Sequence, residues 1–320
     1  MAAAAALLFA QPVIAEQFIS IATGGTAGIY FPLGGAMGKL WTDNIPEIQA
    51  TAEVTGGSVE NTRLVVSEEA FAALGTGNVV YEAYNGSGRF AKRGPQPVLA
   101  IGALYPNAIQ IATLADSGIE GLEDLKGKRV SVGAPGSGTE VMNRDVFGAV
   151  GMGFDQFAST ARLSYAETTN AMKNGNLDAG SLSVGLGASA LLDLASTRAM
   201  ALVCMTPEEV GRITAEFPYY APFIIPGDTY PGVEDDCLSI QAANHLFVRA
   251  DADDELVYQM TKVLYENAEK LMQTSQAAAT ISPDYAMQST VVPLHPGAMR
   301  YYQEIGVEIP SRLLTAAAAD

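Results

Sequence analysis

The sequence predicts an α/β fold of two lobes facing a cleft, and three observations lead there. An apolar strand at residues 18–22 runs into the turn Thr23-Gly24-Gly25-Thr26-Ala27-Gly28. A helix follows over 29–41, with Ile29, Leu33, Ala36, Met37 and Leu40 at helical spacing. The same order of strand, Gly/Ser/Thr-rich turn and helix returns at 129–132, Gly133-Ala134-Pro135-Gly136-Ser137-Gly138-Thr139 and 140–150. Finally, the strand over 238–248 is long enough, at ~3.3 Å per residue, to pass from one lobe into another. A second β/α set is therefore inserted into a first, to which the chain returns.

The other elements follow in order. Residues 48–54 alternate as a strand, and Thr55-Gly56-Gly57-Ser58 opens a helix with Ser58 placed as its cap and Asn61 three positions on. The apolar segment 70–74 leads through Gly75-Thr76-Gly77-Asn78 into a helix over 79–84. Two strands, 98–104 and 109–114, are separated by Tyr105-Pro106-Asn107. After the second glycine turn come a strand at 161–165 and a helix at 166–174. The stretch 177–185, containing Ser181 and Ser183, reads as a strand ending in small polar residues. A helix at 187–196, a strand at 200–205 and a helix at 206–216 close the inserted set, and the Pro/Gly/Tyr-rich stretch 218–231 reads as a loop. Asp251 to Asp254 cap a helix to about 265, with further helices up to 302.

Turns of this kind leave backbone N–H groups free at a helix N-terminus, where they attract an anion. In a parallel sheet they lie along the C-terminal strand edges, where open α/β sheets bind ligands. Two such turns suggest one small anion held from two sides. Gly133 to Gly138 has the spacing of a phosphate loop, but Thr139-Glu140 stands where a lysine and a hydroxyl would be needed. The first turn has Thr23 where the dinucleotide pattern needs its first glycine. Neither supports a nucleotide.

With 35 acidic against 18 basic residues, the net charge of −17 argues against nucleic acid or an anionic membrane surface as partner. The hydrophobic fraction of 48% and charged fraction of 17% are globular values, and 320 residues suffice for two domains. Residues 2–10 form an apolar run broken at Pro12, and Val13-Ile14-Ala15 offers a cleavage site before Glu16. Residues 1–15 are thus expected to be the remnant of a signal peptide, lacking a basic n-region, on a soluble, exported protein, which the resemblance described below implies is periplasmic. Cys204 and Cys237 are read either as a disulfide closing a surface loop or as two buried thiols.

Further motifs carry a resemblance. They are Gly24-Gly25-Thr26-Ala27-Gly28-Ile29-Tyr30-Phe31-Pro32-Leu33-Gly34-Gly35, Thr55-Gly56-Gly57-Ser58-Val59-Glu60-Asn61, Ala83-Tyr84-Asn85-Gly86 and Leu125-Lys126-Gly127-Lys128-Arg129 through Thr139, with Thr229-Tyr230-Pro231-Gly232 and Pro293-Leu294-His295-Pro296-Gly297-Ala298. In this order they resemble the TAXI family, the substrate-binding proteins of tripartite ATP-independent periplasmic (TRAP) transporters, over nearly all of the chain from residue 18 to 310. The resemblance implies a type II, glutamate-receptor-core-like periplasmic binding fold with the ligand in the interlobe cleft. Lobe 1 is expected to comprise 16–104 and 240–320, and lobe 2 to comprise 105–239. It implies a small carboxylate or amino-acid solute, such as glutamate, glutamine or 2-oxoglutarate, delivered to the membrane permease of an ion-driven transporter. A monomer without cofactor is expected. Carried over as ligand-binding are Thr26, Ala27, Tyr30, Gly57, Ser58 and Asn61 from one lobe, and Ser137, Gly138 and Thr139 from the other. Two departures, Leu74-Gly75-Thr76-Gly77-Asn78 and Gly180-Ser181-Leu182-Ser183, put small neutral residues at expected pocket edges. They add Thr76, Asn78, Ser181 and Ser183 to the candidates and make room for a larger or differently charged solute.

Enzymatic chemistry finds little footing. His245 sits in an apolar strand-like run and His295 between prolines, so neither reads as a base. There is no clustered metal-ligand set and no Gly-x-Ser-x-Gly elbow, although Ser137 lies between two glycines. A ligand-sensing module is the other reading of such a fold. Of the nearby cations, Arg63, Arg144 and Arg162, a clamp on a carboxylate is one role and a solvated helix face the other.

Overall fold

The computed structural model describes residues 16–315; the expected signal segment 1–15 lies outside the described residues. The first β/α set is β1 (Gln17–Ala22), α1 (Tyr30–Asn44), β2 (Ile48–Glu53), α2 (Ser58–Val66), β3 (Ala72–Thr76) and α3 (Gly77–Asn85). Strand β4 (Val98–Leu114) leads to the second set: β5 (Arg129–Ser131), α4 (Gly138–Ala149), β6 (Ser159–Ala161), α5 (Tyr165–Lys173), β7 (Ala179–Val184) and α6 (Ser189–Thr197). Then come β8 (Met200–Leu202), α7 (Pro207–Glu216), β9 (Ala221–Ile225) and the returning strand β10 (Cys237–Arg249). Helices α8 (Asp254–Glu266), α9 (Ala268–Leu271), α10 (Pro283–Ser289) and α11 (Pro296–Glu304) complete the described chain.

The sheet runs β2-β1-β3-β10-β4-β7-β5-β6, with β8 on β4 and β9 on β10. Its two ends are built alike. β1 lies parallel between β2 and β3, and β5 lies parallel between β6 and β7. Each trio then meets one antiparallel strand, β10 beside β3 and β4 beside β7. β4 and β10 pair with each other and serve both ends of the sheet. The chain thus has the α/β two-lobed fold of type II periplasmic binding proteins.

Apolar faces explain the packing. α1 turns Leu33, Met37, Leu40 and Trp41 inward, and Trp41 Nε1 donates to Met260 O at 3.0 Å, joining α1 to α8. Truncating Trp41 to Ala would cost about 3–5 kcal/mol. A separate cluster in the β5-centred half gathers Val130, Met142, Val146, Phe147 and Phe157 with Ile109 and Ile111 of β4. Capping boxes start α5 at Ser164/Glu167 and α7 at Thr206/Glu209, satisfying backbone donors reciprocally.

Four expectations need correction. Tyr105-Pro106-Asn107 does not separate two strands, because β4 continues through it. Pro106 pairs with Ala243 of β10, and it lies beyond the β7 ladder, which starts at Ala108, so a missing N–H on that side is tolerated. The stretch 218–231 contains β9, which completes the edge of β10. β6 ends at Ala161 rather than 165, because the Ser164 cap starts the helix. Ser58 is the first residue of α2 and not its cap; Gly57 holds that place at φ +107°, where a side chain is disfavoured. Cys204 and Cys237 are joined, with S–S 2.16 Å across a separation of 33 residues. The segment just after β8 runs beside the start of β10, where Met205 N donates to Leu238 O at 2.8 Å, and brings them together.

Candidate functional site

The two glycine turns face one cavity of about 350 Å³. From the β1-centred half, Thr26, Ala27 and Tyr30 line it, with Gly57, Ser58 and Thr76 beside them. From the β5-centred half come Ser137, Gly138, Thr139 and Ser183. Asn61, Asn78 and Ser181 are not among its walls. Asn61 is buried and ties β1 to β3, donating to Thr23 O and Leu74 O at 2.6 and 2.7 Å. Ser181 donates to Asn143 Oδ1 at 2.6 Å, on the same face of β7 as Ser183 but one step further from the cavity, against α4. Asn78 is fully buried in the first turn of α3.

The cavity also takes residues not anticipated as ligand-facing: Tyr105 and Asn107 of β4, and Tyr165 at the start of α5. Tyr105 and Asn107 are two apart on one strand, hence on one face. That signal is readable once β4 is known to be continuous. The capping box at Ser164 was the local sign that residue 165 opens a helix at a strand edge.

Electrostatics come from backbone. Among the described residues, none of the lining side chains belongs to Asp, Glu, Lys, Arg or His. Instead α1, α2, α4 and α5 all present their first turns to the cavity. A helix N-terminus carries roughly +0.5 elementary charge and N–H groups without intrahelical partners. The two turns differ in what remains free. α1 has Ile29 at its N-cap position and no side-chain cap, whereas Ser137 Oγ caps α4, accepting from Glu140 N at 3.1 Å and donating to Ala134 O at 2.7 Å.

Hydroxyl protons can be followed one by one. Tyr165 Oη donates to Ser183 O, so Thr139 Oγ1, 2.8 Å from it, gives its proton to Tyr165. Tyr30 Oη donates to Asn244 Oδ1, and Thr76 Oγ1 to Ser58 Oγ at 3.3 Å. Asn107 Nδ2 donates to Ser183 Oγ. Tyr105 Oη is fully buried and has no partner. Burial raises the pKa of all three lining phenols, that of Tyr165 to about 12, so they stay protonated at neutral pH.

Around the cavity the halves touch. Gly136 O accepts from Val59 N and Glu60 N at 3.1 and 3.4 Å, and Ala27 O from Ala190 N and Ser189 Oγ at 3.3 and 3.1 Å. A Cβ on Gly138 would stand 2.3 Å from Thr76 Oγ1 and 2.6 Å from Ser58 Oγ, so only glycine allows this approach. The arginines do not reach the cavity. Arg144 and Arg162 converge on buried Glu140 at 3.3 and 3.1 Å, joined by Arg89 from beyond α3 at 3.1 Å. Burial raises the Glu140 pKa, but the Arg162 hydrogen bond and the charges of Arg89, Arg162 and Arg144 outweigh it and hold the carboxyl low. Arg63 pairs with Glu69 at 2.8 Å in solvent. His245 is packed: burial lowers its pKa to about 4, and Nε2 accepts from Val291 N at 3.2 Å.

Among the described residues, no helix is long and apolar enough to cross a membrane and no metal-binding cluster of His, Cys, Asp and Glu is present. Similar solved structures share the fold. PhnD1 from Prochlorococcus marinus, in complex with methylphosphonate, has a TM-score of 0.54 at 9% identity, covering 90% of this chain and 98% of its own. A structure concerning glutathione import via GshT and the cystine ABC importer TcyBC of Streptococcus mutans has a TM-score of 0.53 at 13% identity, covering 84% and 98%. A histidine kinase sensor domain similar to periplasmic binding proteins has 0.50 at 13%, covering 82% and 95%. The sequence itself matches the NMT1-like family over residues 21–306, nearly the whole described chain, and the protein belongs to that family.

Proposed function

We propose that the protein is an extracytoplasmic solute-binding protein that captures a small carboxylate in this cavity and delivers it to a membrane permease. The observation that carries the reading is the convergence of four helix N-termini on one cavity whose lining has no charged side chain. Such a site stabilises an anion through fixed backbone dipoles. The class spans glutamate- and glutamine-like amino acids and dicarboxylates such as 2-oxoglutarate. Residues 16–104 and 240–320 form one lobe and 105–239 the other, with β4 and β10 as the crossing strands about which they close. The motif resemblance to the TAXI family supports a TRAP permease as the partner, and the apolar segment before Glu16 supports export, with the protein acting as a monomer and the solute left chemically unchanged.

The chain over 16–320 should bind a carboxylate saturably in calorimetry, return it unaltered, and become more compact in small-angle scattering. Turnover of the solute, or no compaction in a protein that starts open, overturns the reading. The sensor-domain relative keeps signalling open as a second role for the same cavity. Uptake that depends on a co-expressed TRAP permease separates the two, and uptake through an ABC permease would replace the transporter assignment alone.

A further inference from the structure

Resting on the reading of the cavity as a carboxylate site, we propose that its solute is an organic anion with an apolar or aromatic body and no ammonium group, and that Tyr105 Oη donates a hydrogen bond to it. An α-amino acid brings two opposite charges, and a buried ammonium needs a carboxylate partner to offset its desolvation. Among the described residues, no Asp or Glu lines the cavity. The acids nearest the two turns are already engaged: Glu60 Oε2 accepts from Gly56 N at 2.6 Å, and Glu140 holds Arg89, Arg144 and Arg162. Four helix N-termini facing inward repel a cation further, including one that would otherwise stack on the phenol rings. The carboxylate half of an amino acid therefore fits this cavity and the ammonium half does not.

The rest of the wall describes the body. Ile29, Val54 and Val184, with the rings of Tyr30, Tyr105 and Tyr165, give an apolar, largely aromatic surface. Tyr105 is the lining phenol whose proton has no acceptor among the described residues, while Tyr30 and Tyr165 donate to Asn244 and Ser183. A fully buried hydroxyl left unpaired is costly, and a ligand oxygen in the cavity would relieve that cost. Burial, with the neighbouring Tyr30 and Tyr165, raises its pKa, so it meets the ligand as a donor.

The test is calorimetry on the chain over 16–320 with two matched pairs: glutarate against L-glutamate, and 3-phenylpropionate against L-phenylalanine. At least one acid should bind, and its amino counterpart should bind about a hundredfold more weakly or not at all. Tyr105→Phe should weaken the acid about ten- to a hundredfold. It should leave Tm unchanged or higher, since no protein contact is lost. An amino acid that binds as tightly as its matched acid overturns the inference while the carboxylate reading stands. Binding unchanged in Tyr105→Phe overturns the role of that hydroxyl. If none of the four probes binds, the carboxylate reading itself fails.

Discussion

The first and second glycine turns follow one local recipe and end in different roles. Both run from a parallel strand into a helix that points at the cavity. The first keeps its donors: α1 has no side-chain cap, and Thr26 stands exposed at the cavity wall. In the second, Ser137 is occupied by Ala134 and Glu140, Thr139 by Tyr165, and Glu140 by arginines. The first turn is therefore the more open to a ligand, while the second commits its side chains to the protein; each lends one backbone carbonyl, Ala27 O or Gly136 O, to the contact between the halves. A glycine turn that faces a ligand site need not lend its side chains to the ligand. Neighbours can take them first.

The largest expected effect tests the second turn as a clasp. Glu140→Gln leaves three arginines around a neutral amide and should cost about 2–3 kcal/mol in denaturant unfolding. Arg89→Gln removes only the one ion pair of this cluster that spans the halves and should cost less than about 1 kcal/mol. Equal, negligible losses in both variants would make the cluster a surface feature and erase the contrast between the turns.

Close approach is the next point of attack. Gly138→Ala places a methyl group between Thr76 and Ser58 and should weaken solute binding about ten- to a hundredfold by holding the cavity open. Gly148→Ala lies at the far end of the same helix, where a Cβ meets nothing within 4 Å. It should bind like the parent and gain about 0.5–1 kcal/mol of stability. If Gly138→Ala binds like the parent, the halves do not need this contact to close.

A pH titration sharpens the asymmetry between the two helices. Asp145 on α4 has its pKa raised to about 6 by burial and by Glu82 and Glu216, against hydrogen bonds from Tyr220 and Tyr219. A carboxyl raised in the folded state takes up a proton on folding in that range. Its contribution is fully present below the ordinary value of 3.8 and is lost as pH rises through about 6. Asp145→Asn keeps an acceptor for Tyr220 and should remove on the order of 1–2 kcal/mol of this pH dependence between pH 4 and 6. An unaltered stability profile in the variant would show that Asp145 ionises normally.

The smallest effect compares hydroxyls directly. Thr26→Val should weaken binding about three- to tenfold, as loss of one hydrogen bond does. Thr139→Val should act more weakly, through a loosened Tyr165. A larger loss in Thr139→Val would invert the roles assigned to the two turns.

Local chemistry made much of the site readable from the chain. Gly24 to Gly28 and Gly133 to Gly138 mark turns because glycine and short hydroxyl residues dominate backbone preference over a few positions. Ser164 and Thr206 mark helix starts because a cap and its Glu are three residues apart. What those positions do was decided by neighbours far along the chain. Asn61 looks like a ligand residue from its motif, yet Thr23 and Leu74 claim its amide. Tyr105 and Asn107 look like a break, and become cavity wall because β10 pairs straight through Pro106. The cysteine pairing stayed open until the segment after β8 came to lie beside the start of β10 and set their Cα atoms 5.2 Å apart. Turns and caps are short-range choices that the sequence by itself determines. Which hydroxyl stays free, and which charge reaches the cavity, depends on long-range packing, so only the tertiary structure decided that Tyr105 faces the cavity unpaired and that three arginines answer to Glu140.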